Sequence, residues 1–478
     1  MPPEVALLLT LAFILWLLAR DLKARPSLSQ ALWIPLLWML IMGSRPMSMW
    51  LGVQQNVQNF QLEGSPFDRS LSLVLIGTAL LVLIKRRVNL GGLISDNKWL
   101  FIFLLYLGIS VLWADYPFVA FKRWIQYVAN IIIVLVILSE NKPIEAVRAV
   151  FLRFGFILVP LSVLLIKYFP QLGCYYDPWG WRGYGGVTTN KNLLGITLLI
   201  SSLGLFWEML ELHDDQTHAR KKIELFPCLL LLGMVAWLYR TANTKTPLLC
   251  TLLAAGILVA MRFPRIKGRV RRMEIYVPAL ALLFVLLNSA FDLTGMFIDA
   301  LGRDSSLSGR TGIWQRCLSA PINPLLGAGY YSFWLDPARV DKVSEGFWYK
   351  LNEAHNGYIE TYLNEGFIGV FLVAAVLIFA LRKLKGAVLN EEGVYPALRL
   401  AVLVVALFYN YSEAVFDRTN LIWFATLVAI IGRLPSLPVA QENSSDWLLE
   451  EATQKRLRAA SQLPGTSRLK DVPEAVFP

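Results

Sequence analysis

Histidine is scarce in this sequence: three residues in 478, at His213, His218 and His355. A closed zinc site needs four nitrogen or sulfur ligands. The four cysteines, Cys174, Cys228, Cys250 and Cys317, have neither metal spacing nor a CxxC pair. No metal and no cofactor is therefore expected. Charge is scarce too, at 17% of residues, where soluble domains carry about 25%. There is no GxxxxGK[ST] loop, no GxSxG elbow, no paired-aspartate signature of a nucleotide-sugar transferase and no internal repeat. These absences argue against P-loop, serine-hydrolase and nucleotide-sugar chemistry.

Apolar residues are abundant: 56% of the chain, with a mean hydropathy of +0.52. They occur as runs of roughly 15–20 residues, near the length that a bilayer core demands. The runs cover 4–19, 29–44, 70–84, 99–114, 124–139, 150–169, 193–210, 225–239, 247–262, 275–291, 358–381, 397–411 and 420–433. Most are apolar all round, unlike a soluble amphipathic bundle, and none alternates as barrel strands do. The expected fold is an all-α polytopic membrane protein of about 12–13 spans. Residues 1–433 form the transmembrane domain, with one long extracytoplasmic loop at 292–357. Residues 434–478 are polar and read as a mobile cytoplasmic tail whose WLLEEATQKRLRAA stretch is a candidate surface helix. The first run is followed by RDLKAR, not by a small-residue cleavage site, and reads as an uncleaved span.

The basic clusters RDLKAR (20–25), KRR (85–87), RKK (220–222), RFPRIKGRVRR (262–272) and RKLK (382–385) fall in alternate loops. The lysine and arginine bias makes those loops cytoplasmic and leaves the N-terminus and the 292–357 loop outside. The pI near 9.4 is then a topology signal. No basic groove with stacking aromatics is visible, so nucleic acid is not an expected partner. Membrane lipids are; the oligomeric state is not legible. Cys174 and Cys317 fall on the same outer side, so a disulfide between them is an open possibility.

His213 and His218 lie in the cytoplasmic ELHDDQTHARKK loop and read as solvated. His355 is the one outward histidine. It sits in NEAHNGYIETYLNEGFIGV (352–370), where a polar loop enters an apolar helix. A helix N-terminus and nearby arginines disfavour imidazolium, so a neutral His355 is expected, as a general base requires. Glu353 is expected to orient the imidazole; Asn356 either orients substrate or caps the helix. Glu360 and Glu365 are expected to be intramembrane and partnered.

The other outer motifs are more ambiguous. EGSPFDR (63–69) is a turn in which Asp68 and Arg69 form a local ion pair or Arg69 meets substrate. WADYPFVAFKRW (113–124) reads as an interfacial anchor or, through Lys122 and Arg123, as a binding site for an anionic ligand. WGWRGYGGVTTNKNLLG (179–195) offers Arg182 and Lys191 near a helix N-terminus that Thr188, Thr189 or Asn190 would cap. YRTANTKTP (239–247) adds Arg240 and Lys245. In 301–334, Arg310 stands near the start of a helix running through Trp314. PLLGAGYYSFW reads as a turn plus an aromatic platform, Tyr330 and Trp334, for sugar rings. Tyr358 joins the substrate-contact candidates.

Taken in order, GSPFDR, WADYP…KRW, TTNKNLLG, LSGRTGIW…NPLLGAGY, EAHNGYIETYLNEGFIG and YNYSEAVF resemble the O-antigen ligase and polysaccharide polymerase superfamily over roughly residues 45–425. The SGRTGIW and HNGYIE elements carry most of the specificity and are closest in style to the exopolysaccharide polymerase branch. The resemblance implies a GT-C-like glycosyltransferase of the bacterial inner membrane. Such enzymes take glycan from a polyprenyl diphosphate-linked donor on the periplasmic side. They pass it to a sugar hydroxyl, on a growing glycan, a lipid A-core or a protein, without nucleotide or metal and with inversion. It implies that Arg310 binds diphosphate, with Arg182, Lys191 and Arg240 as further anion contacts, and that His355 is the base. A lipid-linked glycan transporter is the alternative from another class; it would favour midplane sites and repeat symmetry.

Overall fold

The computed structural model describes residues 1–53, 65–176, 180–214, 218–276, 283, 286, 307–347, 349–416 and 418–432. Within them the chain is helical, apart from one hairpin that pairs β1 (Cys174–Tyr176) antiparallel with β2 (Arg182–Tyr184). The helices used below are α1 (Pro3–Ala24), α2 (Trp33–Met42), α3 (Pro66–Lys85), α4 (Leu90–Asp96), α5 (Lys98–Ser110), α6 (Pro117–Leu138), α7 (Pro143–Tyr168), α8 (Lys191–Asp214), α9 (His218–Ala242), α10 (Lys245–Ala260), α11 (Leu307–Leu318), α12 (Pro337–Ser344), α13 (Gly357–Asn390), α14 (Tyr395–Tyr409) and α15 (Leu421–Ile431).

Among the described residues, seven helices are long and apolar enough to cross a membrane, or up to nine if each of two bent pairs is one span. The bent pairs are Leu90–Asp96 with Lys98–Trp113, at 96°, and Lys245–Ala260 with Pro264–Tyr276, at 102°. Three shorter apolar helices complete an all-α polytopic membrane fold. Every expected span meets a described helix except 275–291, which lies mostly outside the described residues, as do the 434–478 tail and the start of the long loop. The cysteines are all free, Cys317 buried and Cys174 in β1, so Cys174 and Cys317 are not paired.

Sequence sets the helix starts. Proline occupies the first turn of α1, α3, α6 and α7, where its missing N–H costs nothing. Ser65 caps α3. Asp68 is engaged by Ser48, whose backbone N (3.0 Å) and Oγ (2.5 Å) both donate to it. LIWFATLVAII, all of α15, is apolar on every face and wholly buried. At 1.5 Å per residue it spans only about 16 Å, so it serves as a core post around which α6, α8, α13 and α14 pack.

Two features hold the bundle ends. At one end, Asp21 of α1 binds Arg153 of α7 (2.6 Å) and Arg25, while Glu208 of α8 binds Arg25 (3.1 Å) and Arg148 of α7 (2.5 Å). Asp21 and Arg153 are almost fully buried, so the pairing is obligatory: stripping one partner from such a pair costs about 3–5 kcal/mol. At the other end α13 is broken at Gly366 (φ 65°, ψ −165°). The NPLLGAG segment (323–329) fills the break. Phe367 N donates to Pro324 O (2.8 Å), Ala328 N to Leu363 O (2.9 Å), Gly329 N to Asn364 O (2.8 Å), and Tyr106 Oη to Glu365 O (2.7 Å). Interrupted backbone inside a membrane bundle survives only when protein supplies its partners, and here it does.

Candidate active site

α13 begins at Gly357, ahead of its break at Gly366, and the cap at Asn356 fixes what stands at its mouth. Asn356 Oδ1 accepts from Tyr358 N (3.0 Å) and Ile359 N (3.1 Å), capping α13, and its Nδ2 donates to Tyr411 O (3.2 Å). Gly357 N donates to Asn410 O (2.8 Å) and Glu413 O (3.0 Å). The HNG turn is thereby stitched to the YNYSE loop between α14 and α15. Of the two readings open for Asn356, capping is the one its contacts support.

His355 has left-handed backbone (φ 50°). Its Nδ1 lies 2.9 Å from Glu353 Oε1 and 3.5 Å from Glu413 Oε2. These are close charge contacts; Nδ1 makes no hydrogen bond of normal geometry. Arg418 Nη1 donates to Glu353 Oε2 (2.8 Å) and its Nη2 to Glu360 Oε1 (2.5 Å). Glu360 is 1% exposed and also accepts from Trp334 Nε1 (2.6 Å) and Ala354 N (3.0 Å). On the other side, Arg310 Nη2 lies 3.4 Å from Glu413 Oε1, and Nη1 donates to Ser412 O (2.6 Å). The result is an alternating chain: Arg310, Glu413, His355, Glu353, Arg418, Glu360.

The expected neutral imidazole does not fit this chain. Burial would lower its pKa, but the flanking Glu353 and Glu413 carboxylates reverse that and push it up to about 9. Burial likewise opposes charge on Glu353, yet His355 and Arg418 hold its pKa down at about 2. His355 at rest is therefore imidazolium. Arg310 and Arg418 do not override the carboxylates because each is itself paired with one. Ligand atoms of Glu353, His355 and Glu413 lie within 4.8 Å of one another, a spread that a metal ion could bridge. With guanidinium groups already on both carboxylates, the set suits an imidazolium better than a further dication.

Beside the chain opens a cavity of about 500 Å³ lined by Arg123, Arg418, Tyr331, Glu353, Glu413 and Asn190, among others. Arg123 and Arg418 both address the Tyr331 ring, at 3.9 and 5.7 Å from its centroid. This volume is in the range of small-ligand sites. Asn190 closes one side and caps α8, its Oδ1 accepting from Leu193 N (3.0 Å).

The sequence candidates divide. Glu353, Arg123 and Tyr330 line the cavity, and His355 and Arg310 adjoin it through Glu353 and Glu413. Tyr330 is 1% exposed and packs edge-on against Tyr127 and Tyr331, and the Trp334 indole N–H is committed to Glu360. Of the aromatics in this motif, Tyr330 and Tyr331 line the cavity and Trp334 does not. Tyr358 does not line the cavity; its hydroxyl donates to Leu407 O (3.0 Å) and ties α13 to α14. Arg182, Lys191, Arg240 and Arg69 are exposed and outside the lining. Arg182 instead contacts Cys174 Sγ (3.2 Å) and the Tyr184 ring within the hairpin. Arg418 and Glu413 escaped notice, although an acid and an arginine in a loop so short between apolar helices were a usable signal.

Residues 228–374 match the family described as O-Antigen ligase. The chain is also 26% identical over 329 residues to the exopolysaccharide production protein ExoQ of Rhizobium meliloti, covering 63% of this chain and 68% of the relative.

Proposed function

We propose that this multi-pass protein of the O-antigen ligase and polysaccharide polymerase superfamily transfers glycan from a polyprenyl diphosphate-linked donor to a sugar hydroxyl on the extracytoplasmic side of a bacterial inner membrane. The observation that carries the reading is the cavity where Arg123 and Arg418 face the Glu413–His355–Glu353 chain. Breaking the anomeric C–O bond leaves a diphosphate whose growing negative charge needs fixed cations; two guanidinium groups supply them without a metal. Arg310 anchors Glu413 and adds positive potential from behind. The acceptor oxygen attacks the anomeric carbon as the diphosphate departs, which inverts that centre, and its proton passes to His355 in the neutral form. Relation to a protein of exopolysaccharide production favours a polymerase, which joins repeat units to one another. The O-Antigen ligase match keeps a ligase, with a lipid A-core or protein acceptor, as the second reading.

Reconstitution with one lipid-linked repeat unit, with and without a separate acceptor, tests both. A ladder from donor alone means polymerase; one shift that requires the acceptor means ligase. Donor that is never consumed in either arm removes the transferase reading and favours transport.

The raised pKa of His355 sets the pH profile. Below about 9 the neutral base is the minority form, so the rate should climb by about tenfold per pH unit from neutrality and level off near that value. Glu413→Gln removes one carboxylate that raises the pKa, so the climb should move to lower pH. A rate that falls with pH would instead assign imidazolium as the working form. Arg418→Lys tests the guanidinium fork. One ammonium cannot hold Glu353 and Glu360 together, and losing one charged hydrogen bond at about 1.5–3 kcal/mol predicts roughly 10- to 150-fold slower turnover.

A further inference from the structure

A second cavity, about 430 Å³, lies at the opposite end of the bundle, between the start of α5, the far half of α13 and the end of α15. It is roughly 25 Å beyond Gly366 along α13, at 1.5 Å per residue, which places it near the other face of a hydrocarbon core about 30 Å thick. Nothing in the proposed transfer uses it. Lys98, Arg382 and Lys383 line it against one acid, Asp96. Lys383 Nζ reaches Ile431 O (2.9 Å) and Asn97 Oδ1 (3.2 Å), oxygens that carry no formal charge. Lys98 Nζ stands 5.4 Å from the Phe379 ring centroid. Arg382 shares Glu274 with Lys385, at 3.5 and 2.9 Å. The remaining wall is apolar. Trp99 meets Phe379 and Phe371 (centroids 5.9 and 6.2 Å), and both phenylalanines are exposed on the outside of the bundle.

We infer that this cavity binds the headgroup of an anionic phospholipid, with its phosphate among Lys98, Arg382 and Lys383 and its acyl chains along Trp99, Phe379 and Phe371. The cations recognise the phosphate and the net charge. A free phosphate would gain nothing from the aromatic wall, which continues onto a surface that faces lipid. Basic pockets between helices are a known means of holding acidic lipids.

The test uses full-length protein in detergent, offered equal amounts of phosphatidylglycerol and phosphatidylcholine, with bound lipid read by native mass spectrometry. Phosphatidylglycerol should be retained preferentially. Lys98→Gln combined with Arg382→Gln should weaken that preference by about five-fold per charge removed. Both side chains reach the surface, so folding should be untouched, and thermal unfolding checks that. Lys142→Gln with Lys350→Gln, exposed pairs elsewhere, should change nothing. Equal retention of the two lipids, or an unaltered preference in the Lys98/Arg382 variant, overturns the proposal. Competition by millimolar glycerol phosphate as strong as that by intact lipid also overturns it, because it would show a free-phosphate site.

Discussion

His355→Ala should lower glycan transfer by about 10²–10⁴-fold, the usual cost of removing a positioned general base, while leaving the protein folded. The side chain contributes little packing, being part-exposed at 29%, but its cation separates two carboxylates and its backbone is left-handed. Alanine enters that region reluctantly and asparagine readily. His355→Asn is therefore the companion variant: it keeps the turn and still lacks a base. Both should be inactive, with gel-filtration profiles like the parent. Transfer near the parental rate in either variant removes His355 from the chemistry. Loss in alanine alone would assign it to holding the turn.

Gly366→Ala should prevent the protein from assembling. A Cβ there would lie 2.2 Å from Leu325 O and 2.6 Å from Leu326 N, both backbone atoms. The conformation, φ 65° and ψ −165°, is one that essentially only glycine adopts, and strain of that kind costs about 1–3 kcal/mol before any clash. Relief would require NPLLGAG to withdraw, exposing the interrupted carbonyl and amide groups of α13. Gly77→Ala in α3 is the contrast, since its Cβ would meet nothing within 4 Å, and stability should stay the same or rise by up to about 1 kcal/mol. Thermal unfolding in detergent separates the two. A Gly366→Ala protein as stable as the parent would mean that the break is not held as described.

The helical membrane fold was legible because runs of apolar residues report burial in lipid whatever they pack against. The mouth of α13 was legible for a related reason: asparagine followed by glycine at the start of an apolar helix is local chemistry, and Asn356 caps there. Charge state was not. His355 reads as neutral beside arginines, but Glu353, two positions away, and Glu413, 58 positions away, both close on its ring and favour the charged form. Arg182 and Lys191 show the converse. Glycine, arginine and a helix start give the local pattern of an anion site, but the pattern cannot say which way a side chain leaves the backbone. Only tertiary closure separated Arg123 and Arg418, which meet at Tyr331, from arginines that look equivalent in sequence.

The ion pairs that fasten α1 also set an order of manufacture. Asp21 and Arg25 leave the ribosome early, yet their partners Arg153 and Glu208 come more than a hundred residues later. At about 5–20 residues per second, the first helix waits on the order of ten seconds or more with its acid and base answered only by each other. It must stay close to the point of insertion until α7 and then α8 arrive to claim it. Truncation before Arg153 would leave α1 without the charged partners that fasten it to α7 and α8, so the amino-terminal segment becomes a late-secured part of the protein despite being made first.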